Sequence, residues 1–297
     1  MKLNILNKNY KYLVILAGSP RGGNTAWDTL EKYVLRHLNA DLAICTGKNW
    51  LNNQSFLHQM TYDWSFEEPI NWEDYYNQNF PNYWEKFFNL GKGTGLLESG
   101  IIHFAIKDII YKNYLSILED YDFVIYTRFD QLYVTQHPFG MPNMFLIPNG
   151  EDYFGLGDRH VLFPAKFSKK FFNILEFCFN NYELLSKLKY LNCETVYKYH
   201  LDSFLNENQI IRYKRNLFCV AQKEDKTNWR VPKYRIYFVK NLKLKYPDEF
   251  LSSLSNFLLF FKLKKLTVLN LFLIFNFVML ILRQKIGTFK KLFIFNS

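Results

Sequence analysis

Residues 12–17, YLVILA, form an apolar run closed by Gly18, and residues 40–47, ADLAICTG, form a second one. Between them Trp27, Leu30, Val34 and Leu38 recur at helical spacing, with Asn24 or Thr25 available as the N-cap. Strand, loop, helix and strand within about 35 residues is a βαβ unit, and two strands joined in that way require a parallel sheet. This pattern directs the chain to an α/β fold.

The rest of the chain continues the alternation. Residues 95–118 read as a long helix, 121–134 (YDFVIYTRFDQLYV) as the strongest strand, and 143–148 as another strand. A loop with a short strand follows over 149–167. Helices are expected over 168–188 and 194–206, and a strand over 209–222. Residues 48–95 hold Trp50, Trp64, Trp72 and Trp84 among polar residues and predict irregular structure with short helices, a lid or a substrate-facing insertion. No internal repeat is visible.

Hydrophobic residues make up 49% of the 297, enough for a large core. Cys45, Cys178, Cys193 and Cys219 are scattered, which excludes a disulfide framework or a CxxC zinc site and fits a reducing compartment. The N-terminus MKLNILNKNYKY lacks the apolar core of a signal peptide, so the folded part is expected to face the cytoplasm.

The net charge of +10 is uneven: residues from 251 onward carry seven Lys/Arg and no Asp/Glu, leaving 30 basic against 27 acidic in the first 250. A nucleic-acid binder would spread such charge over a folded face, so no nucleic-acid partner is expected. The tail contains LTVLNLFLIFNFVMLIL (266–282), preceded by Lys262, Lys264 and Lys265 and followed by Arg283, Lys285, Lys290 and Lys291. Seventeen residues is the lower limit for spanning hydrocarbon, and basic flanks on both sides suit an anionic membrane surface. The expected division is 1–235 as the folded domain and 236–297 as a basic, apolar, membrane-associating tail, either an anchor or an in-plane helix. A buried C-terminal helix is the plain alternative.

Four segments carry candidate chemistry. In GSPRGGNT, Gly18, Gly22 and Gly23 permit close backbone approach, Arg21 can pair with a phosphate, and the following helix offers its positive end. As text this loop resembles the FMN loop of flavodoxin-like reductases. It lacks the Lys-Ser/Thr of the nucleoside-triphosphate loop. In YTRFDQLYV, Arg128 and Asp130 fall where a buried strand ends, the edge at which parallel sheets bind ligands. Asp130 is placed for a divalent cation and Arg128 for a diphosphate. In GEDYFGLGDRHVL, Glu151, Asp152, Asp158, Arg159 and His160 crowd a glycine-bearing loop, with carboxylates and a histidine suited to proton transfer or metal ligation. In EDKTNWRV, Trp229 could stack on a base or sugar and Arg230 could bind phosphate. Glu98 and His103 on the central helix are weaker, since a lone helical histidine is more often core or surface. A strand-to-helix turn, a salt-bridged strand end, a solvated charged turn and a surface loop are the respective plain readings.

Taken in order, GSPRGG, ESGIIHFAIKDII, YDFVIYTRFDQLYVTQHP, IPNGEDYFGLGDRHVL, ETVYKYHL and FCVAQKEDKTNWR resemble a family of bacterial and viral polysaccharide-biosynthesis glycosyltransferase-like proteins, over residues 12–231. The GEDY…DRH segment is the most specific part of the match. The resemblance implies a GT-A-like (Rossmann-like) α/β fold with a mostly parallel sheet flanked by helices, a nucleotide-sugar donor, and a glycan or lipid-linked glycan acceptor. It further implies action on lipopolysaccharide, capsule or a similar surface glycan at the cytoplasmic face of the membrane. Gly18, Arg21, Arg128, Asp130, Glu151, Arg159, Trp229 and Arg230 become the donor-binding candidates. Asp158, Asp152 and His160 become the catalytic ones, with Asp158 preferred as the base. The usual DxD reads Arg128-Phe129-Asp130, so a Mn2+ or Mg2+ ion would rest on Asp130, or Arg128 would neutralise the diphosphate in its place. Two departures, TNW for TRW and DYFG for DYGG, bear on donor details. The alternatives are a non-catalytic membrane-associated carbohydrate-binding or scaffold protein and a flavodoxin-like FMN reductase. A sulfotransferase lacks a second phosphate-binding motif here.

Overall fold

The computed structural model describes residues 10–51, 55–222, 224–225, 234–235, 242–260 and 271–282. The strands are β1 (Tyr12–Ala17), β2 (Ala40–Cys45), β3 (Tyr62–Asp63), β4 (Phe123–Arg128), β5 (Gln131–Tyr133), β6 (Phe145–Pro148), β7 (His160–Pro164), β8 (Ile210–Tyr213), β9 (Leu217–Ala221), β10 (Tyr234–Arg235) and β11 (Lys243–Leu244). They belong to two compact units, each built from separated chain segments. One comprises Met1–Pro20, Val34–Phe129 and His137–Tyr213; the other comprises Arg21–Tyr33, Asp130–Gln136 and Lys214–Ser297.

The first unit is an α/β layer structure around a seven-stranded sheet of order β3-β2-β1-β4-β7-β6-β8. β1 pairs in parallel with β2 and β4, β2 with β3, and β6 with β8; β7 runs against β4 and β6. The sheet is therefore mostly parallel, with one reversed strand. β1 is buried along its whole length and β4 up to Arg128, as their unbroken apolar runs require of central strands covered on both faces. One core joins Leu13, Ile15, Val124 and Tyr126 of the sheet to Ile106, Ile110, Phe171 and Tyr197 of the helices.

The aromatic stretch after β2 serves packing more than solvent. Trp64 lies buried and cofacial with Tyr114 at 4.5 Å, and Tyr76, Trp84, Phe87 and Phe88 form a second core with Phe104 of the Ile101–Asn113 helix. Tyr76 donates to Ile101 O at 2.6 Å and Tyr75 to Asp108 at 2.5 Å.

Both long strands expected from the apolar runs are in fact two strands each. Residues 121–134 divide at Phe129–Asp130 and residues 209–222 at Lys214–Asn216, and at each point the chain leaves the seven-stranded sheet for a four-stranded one. The helix expected over 95–118 divides as well, into a π-helical turn at Leu96–Gly100, the Ile101–Asn113 helix and a short Leu115–Leu118 helix.

The second unit holds the antiparallel sheet β10-β11-β9-β5. The Pro247–Phe260 helix packs on β9. Its buried Glu249 accepts the Cys219 amide at 2.9 Å and pairs with buried Arg215 at 3.2 Å, and Ser253 donates to Leu217 O at 2.8 Å. Such pairing is what permits two charges to be buried. Among the described residues no helix is long and apolar enough to cross a membrane.

Candidate functional site

In the first unit the order of strands turns at β1 and β4: β2 and β3 extend to one side, β7, β6 and β8 to the other. Sheets of this kind bind ligands beyond the carboxyl ends of the strands at that turning point. Gly18 follows β1 there, and Arg128, the last residue of β4, pairs in register with Ala17. The segment after β6 starts at the same edge. Because β7 runs in reverse, Asp158 and Arg159, which lead into it, return to that edge too. The GEDY…DRH residues are thus brought to the strand ends that carry Gly18 and Arg128.

Asp158 is the electrostatic centre. Burial pushes its carboxyl up, but His103, Lys107, Arg159 and Arg128 together outweigh that and hold it below its ordinary value. Lys107 is fully buried on the Ile101–Asn113 helix. Its Nζ sits 5.3, 4.9 and 4.7 Å from the ring centroids of Tyr126, Phe171 and Tyr197. Burial lowers its pKa to about 8, against the opposing pull of Asp158. A cation in an aromatic cage beside one carboxylate is a strong local field in a poorly screened place.

The loop from Gly150 to Gly157 is held in place at many points. Gly150, Glu151, Tyr153 and Phe154 have φ of 89°, 60°, 39° and 72°. Three of these are not glycine, a conformation that persists only where the surroundings enforce it. Arg212 grips Asp152 through two bonds of 3.0 and 2.8 Å and also donates to Pro148 O at 2.8 Å. Asp152 further accepts the Gly157 amide at 3.1 Å. Glu151 pairs with Arg159 at 3.1 Å and accepts from Tyr153 at 2.5 Å. Asn192, the N-cap of the Cys193–Asp202 helix, donates to Tyr153 O at 2.9 Å. The tip still presents Phe154 and Tyr190 to solvent, stacked at 4.6 Å and 9°.

His160 is buried, opposite Thr127 in the sheet, and both of its ring nitrogens are engaged: Nδ1 with Thr127 Oγ1 at 2.9 Å and Nε2 with His137 Nε2 at 2.8 Å. His137 Nδ1 is 2.8 Å from Pro138 O. A carbonyl only accepts, so His137 carries its proton on Nδ1 and its Nε2 accepts from His160 Nε2. Burial pushes the His137 pKa down to about 4, with His37 adding to the effect and the Pro138 bond opposing it. His160 is therefore held by Thr127, the residue before Arg128, and by His137.

The glycine loop belongs partly to the second unit. Gly18 has φ 96° with open space where a Cβ would stand, so its backbone angle alone calls for glycine. Gly22, at φ 91°, is the N-cap of the Gly23–Leu30 helix, and its amide donates to Asp225 at 3.0 Å. The same carboxylate accepts the Gln222 amide at 2.7 Å. A Cβ on Gly23 would collide with the Gln222 side chain. An internal carboxylate thus occupies the amide expected to meet a phosphate. Arg21 is half-buried in this unit, and Asp130 is buried, its carbonyl accepting the Val220 amide at 2.8 Å. Among the described residues no group of three His, Cys, Asp or Glu could hold a metal, and Asp130 supplies a single carboxylate. Trp229 and Arg230 lie outside the described residues.

Sequence reading missed Lys107, Arg212, His137 and Asp225. Lys107 left a trace, since it interrupts the apolar run FAIKDII on a helix buried from Phe104 to Ile110. No protein-family model matches the chain, and none of the curated proteins matches it.

Proposed function

We propose that the chain is a GT-A-like glycosyltransferase that moves a sugar from a nucleotide-sugar donor to a growing surface glycan such as lipopolysaccharide or capsule. The observation that carries this reading is the carboxyl edge at the turning point of a mostly parallel sheet, where Arg128 ends β4, Asp158 and Arg159 lead into β7, and the caged Lys107 adds its charge to the same field. Breaking the bond from a sugar to a diphosphate leaves negative charge on the diphosphate, and fixed cations there stabilise it. Gly18 allows the donor to approach the end of β1, and Glu151 orients Arg159. Arg21, Asp130, Trp229 and Arg230 remain donor-side candidates.

In the transfer, the acceptor oxygen bonds to the anomeric carbon as the carbon–oxygen bond to the diphosphate breaks. The electron pair leaves with the diphosphate, and the acceptor proton passes to a base. Asp158, held ionised by its cationic neighbours, is a weak base, and its role in this reading is to fix those cations. His103, half-buried and within the field of Asp158, is the remaining candidate to accept that proton. Asp152 is committed to Arg212 and His160 to its buried chain.

A second reading, a non-catalytic glycan binder, draws on the exposed Phe154–Tyr190 stack held out by a rigid loop. One experiment separates the two. Thermal unfolding of the full chain is followed with nucleoside mono- and diphosphates, nucleotide-sugars and neutral oligosaccharides. Stabilisation by one nucleoside diphosphate class, lost in Arg128→Ala, supports the transferase. A response to oligosaccharides alone supports the binder.

A further inference from the structure

Residues 271–282 form a helix in the second unit whose polarity is reversed with respect to water. Leu271, Phe275, Val278 and Leu282 are 53, 46, 48 and 48% exposed, whereas Leu273, Asn276 and Leu280 are buried. At 3.6 residues per turn these four side chains fall within an arc of about 60°, Phe272, 37% exposed, borders them, and the three buried ones lie opposite. Asn276, the one polar residue of the segment, is on the inward side and donates to Phe272 O at 2.7 Å. The helix therefore turns a wholly apolar stripe outward and keeps its amide in. A helix that has finished folding in water does the opposite.

The occupant of that stripe follows from charge. From residue 251 to the end the chain has seven Lys/Arg and no Asp/Glu, with Lys262, Lys264 and Lys265 before the helix and Arg283, Lys285, Lys290 and Lys291 after it. A second copy of the chain would bring two such cationic sets together, which is unfavourable. An anionic bilayer surface takes both the apolar stripe and the positive flanks. Leu273, Asn276 and Leu280 are covered on the opposite side, so the helix keeps one face against the protein and offers the other along the plane of the surface.

We propose that the helix 271–282 is an in-plane membrane-binding element that inserts Leu271, Phe275, Val278 and Leu282 into the acyl boundary of an anionic leaflet. This holds independently of the sugar-transfer reading. The test is co-sedimentation of the full chain with vesicles of phosphatidylcholine, alone or with phosphatidylglycerol. Binding is expected to be roughly tenfold tighter to the anionic vesicles and to weaken as salt rises and the Debye length falls below about 10 Å.

The double variant Phe275→Glu/Val278→Glu should lose roughly tenfold or more of this affinity. Circular dichroism and thermal unfolding of the variant show that it remains folded, and Val278→Glu alone, at a side chain 48% exposed, should weaken binding in the same direction. The four native cysteines are buried, so a fluorophore can be attached selectively to Leu271→Cys or Leu282→Cys. Equal quenching depth at both positions fits a helix in the plane. Three results would overturn the proposal: labels at opposite faces of the bilayer, a folded chain that ignores anionic vesicles, or a dimer in solution that the double variant dissociates while vesicle binding is absent.

Discussion

Replacing Lys107 by Met tests the centre of the candidate site by a route that needs no ligand. In the folded chain the Lys107 ammonium titrates at about 8, and in an unfolded chain at its ordinary 10.5. The charged form is thus disfavoured by the fold, by about 2.5 units or roughly 3 kcal/mol at about 1.4 kcal/mol per unit. The sign follows from proton counting. Between pH 8 and 10.5 the unfolded chain holds the proton and the folded chain releases it, so the stability contribution of Lys107 rises with pH over that window. Below pH 8 the full cost is present and flat. Met fits an aromatic cage without a charge and removes this dependence. Tyrosines with raised values, such as Tyr126, also titrate at alkaline pH, but they are common to both proteins and cancel in the difference. Urea unfolding of wild type and Lys107→Met at matched pH should therefore give a difference that is level from pH 6 to 7.5. It should then move in favour of the wild type by up to about 3 kcal/mol as pH approaches 10.5. A difference that stays level throughout would refute the buried, charged lysine, and one that moves the other way would mean that its surroundings stabilise the charge.

Acid should act through buried histidines. His137 and His200, lowered by burial to about 4 and about 3, stay neutral in the fold while the unfolded chain protonates below 6.5. Each should cost roughly 2 kcal/mol of stability on going from pH 6.5 to 5, and His200→Phe should remove its share of that slope in urea titrations. Gly155 and Gly18 should respond unequally to alanine. A Cβ on Gly155 would collide with the Glu194 backbone, whereas Gly18→Ala meets open space and bears only the cost of φ 96°, about 1–2 kcal/mol. Thermal melts should show Gly155→Ala as the larger loss, and equal losses would contradict the loop geometry. Asp225→Ala should strip the Gly22 and Gln222 amides of their acceptor, for a loss of about 1–3 kcal/mol and faster hydrogen exchange at Gly22.

The parts of the fold that were legible were those in which burial and local pattern agree. YLVILA and ADLAIC read as strands because both faces are covered, and the GEDY…DRH segment read as a charged loop because its glycines and ionisable groups interrupt the apolar runs around it. The two divided strands were hidden for the same reason. Phe129 and Leu132 continue the apolar run across the break, and no local residue type announces that the second half pairs with β9 in another sheet. The pairings inside the site are long-range facts. Asp152 meets an arginine 60 residues away, and His160 meets a histidine 23 residues before it. Lys107 was passed over because lysine in a helix reads as surface, and only the three-dimensional cage of Tyr126, Phe171 and Tyr197 makes its burial tolerable. The Trp-rich stretch suggested a substrate-facing insertion, but Trp64 and Trp84 are core and only Trp50 among the described tryptophans is exposed, while Phe154 and Tyr190 form an exposed stack elsewhere.

The most direct measurement is phosphorus NMR of the full chain incubated with a panel of nucleotide-sugars, with and without a membrane glycan extract as acceptor. Transfer predicts that one donor's sugar-diphosphate signal is replaced by free nucleoside diphosphate, faster with the acceptor, and that Arg128→Ala and His103→Gln each abolish the conversion while remaining folded. A folded chain that consumes no donor, with or without acceptor, would contradict the transferase.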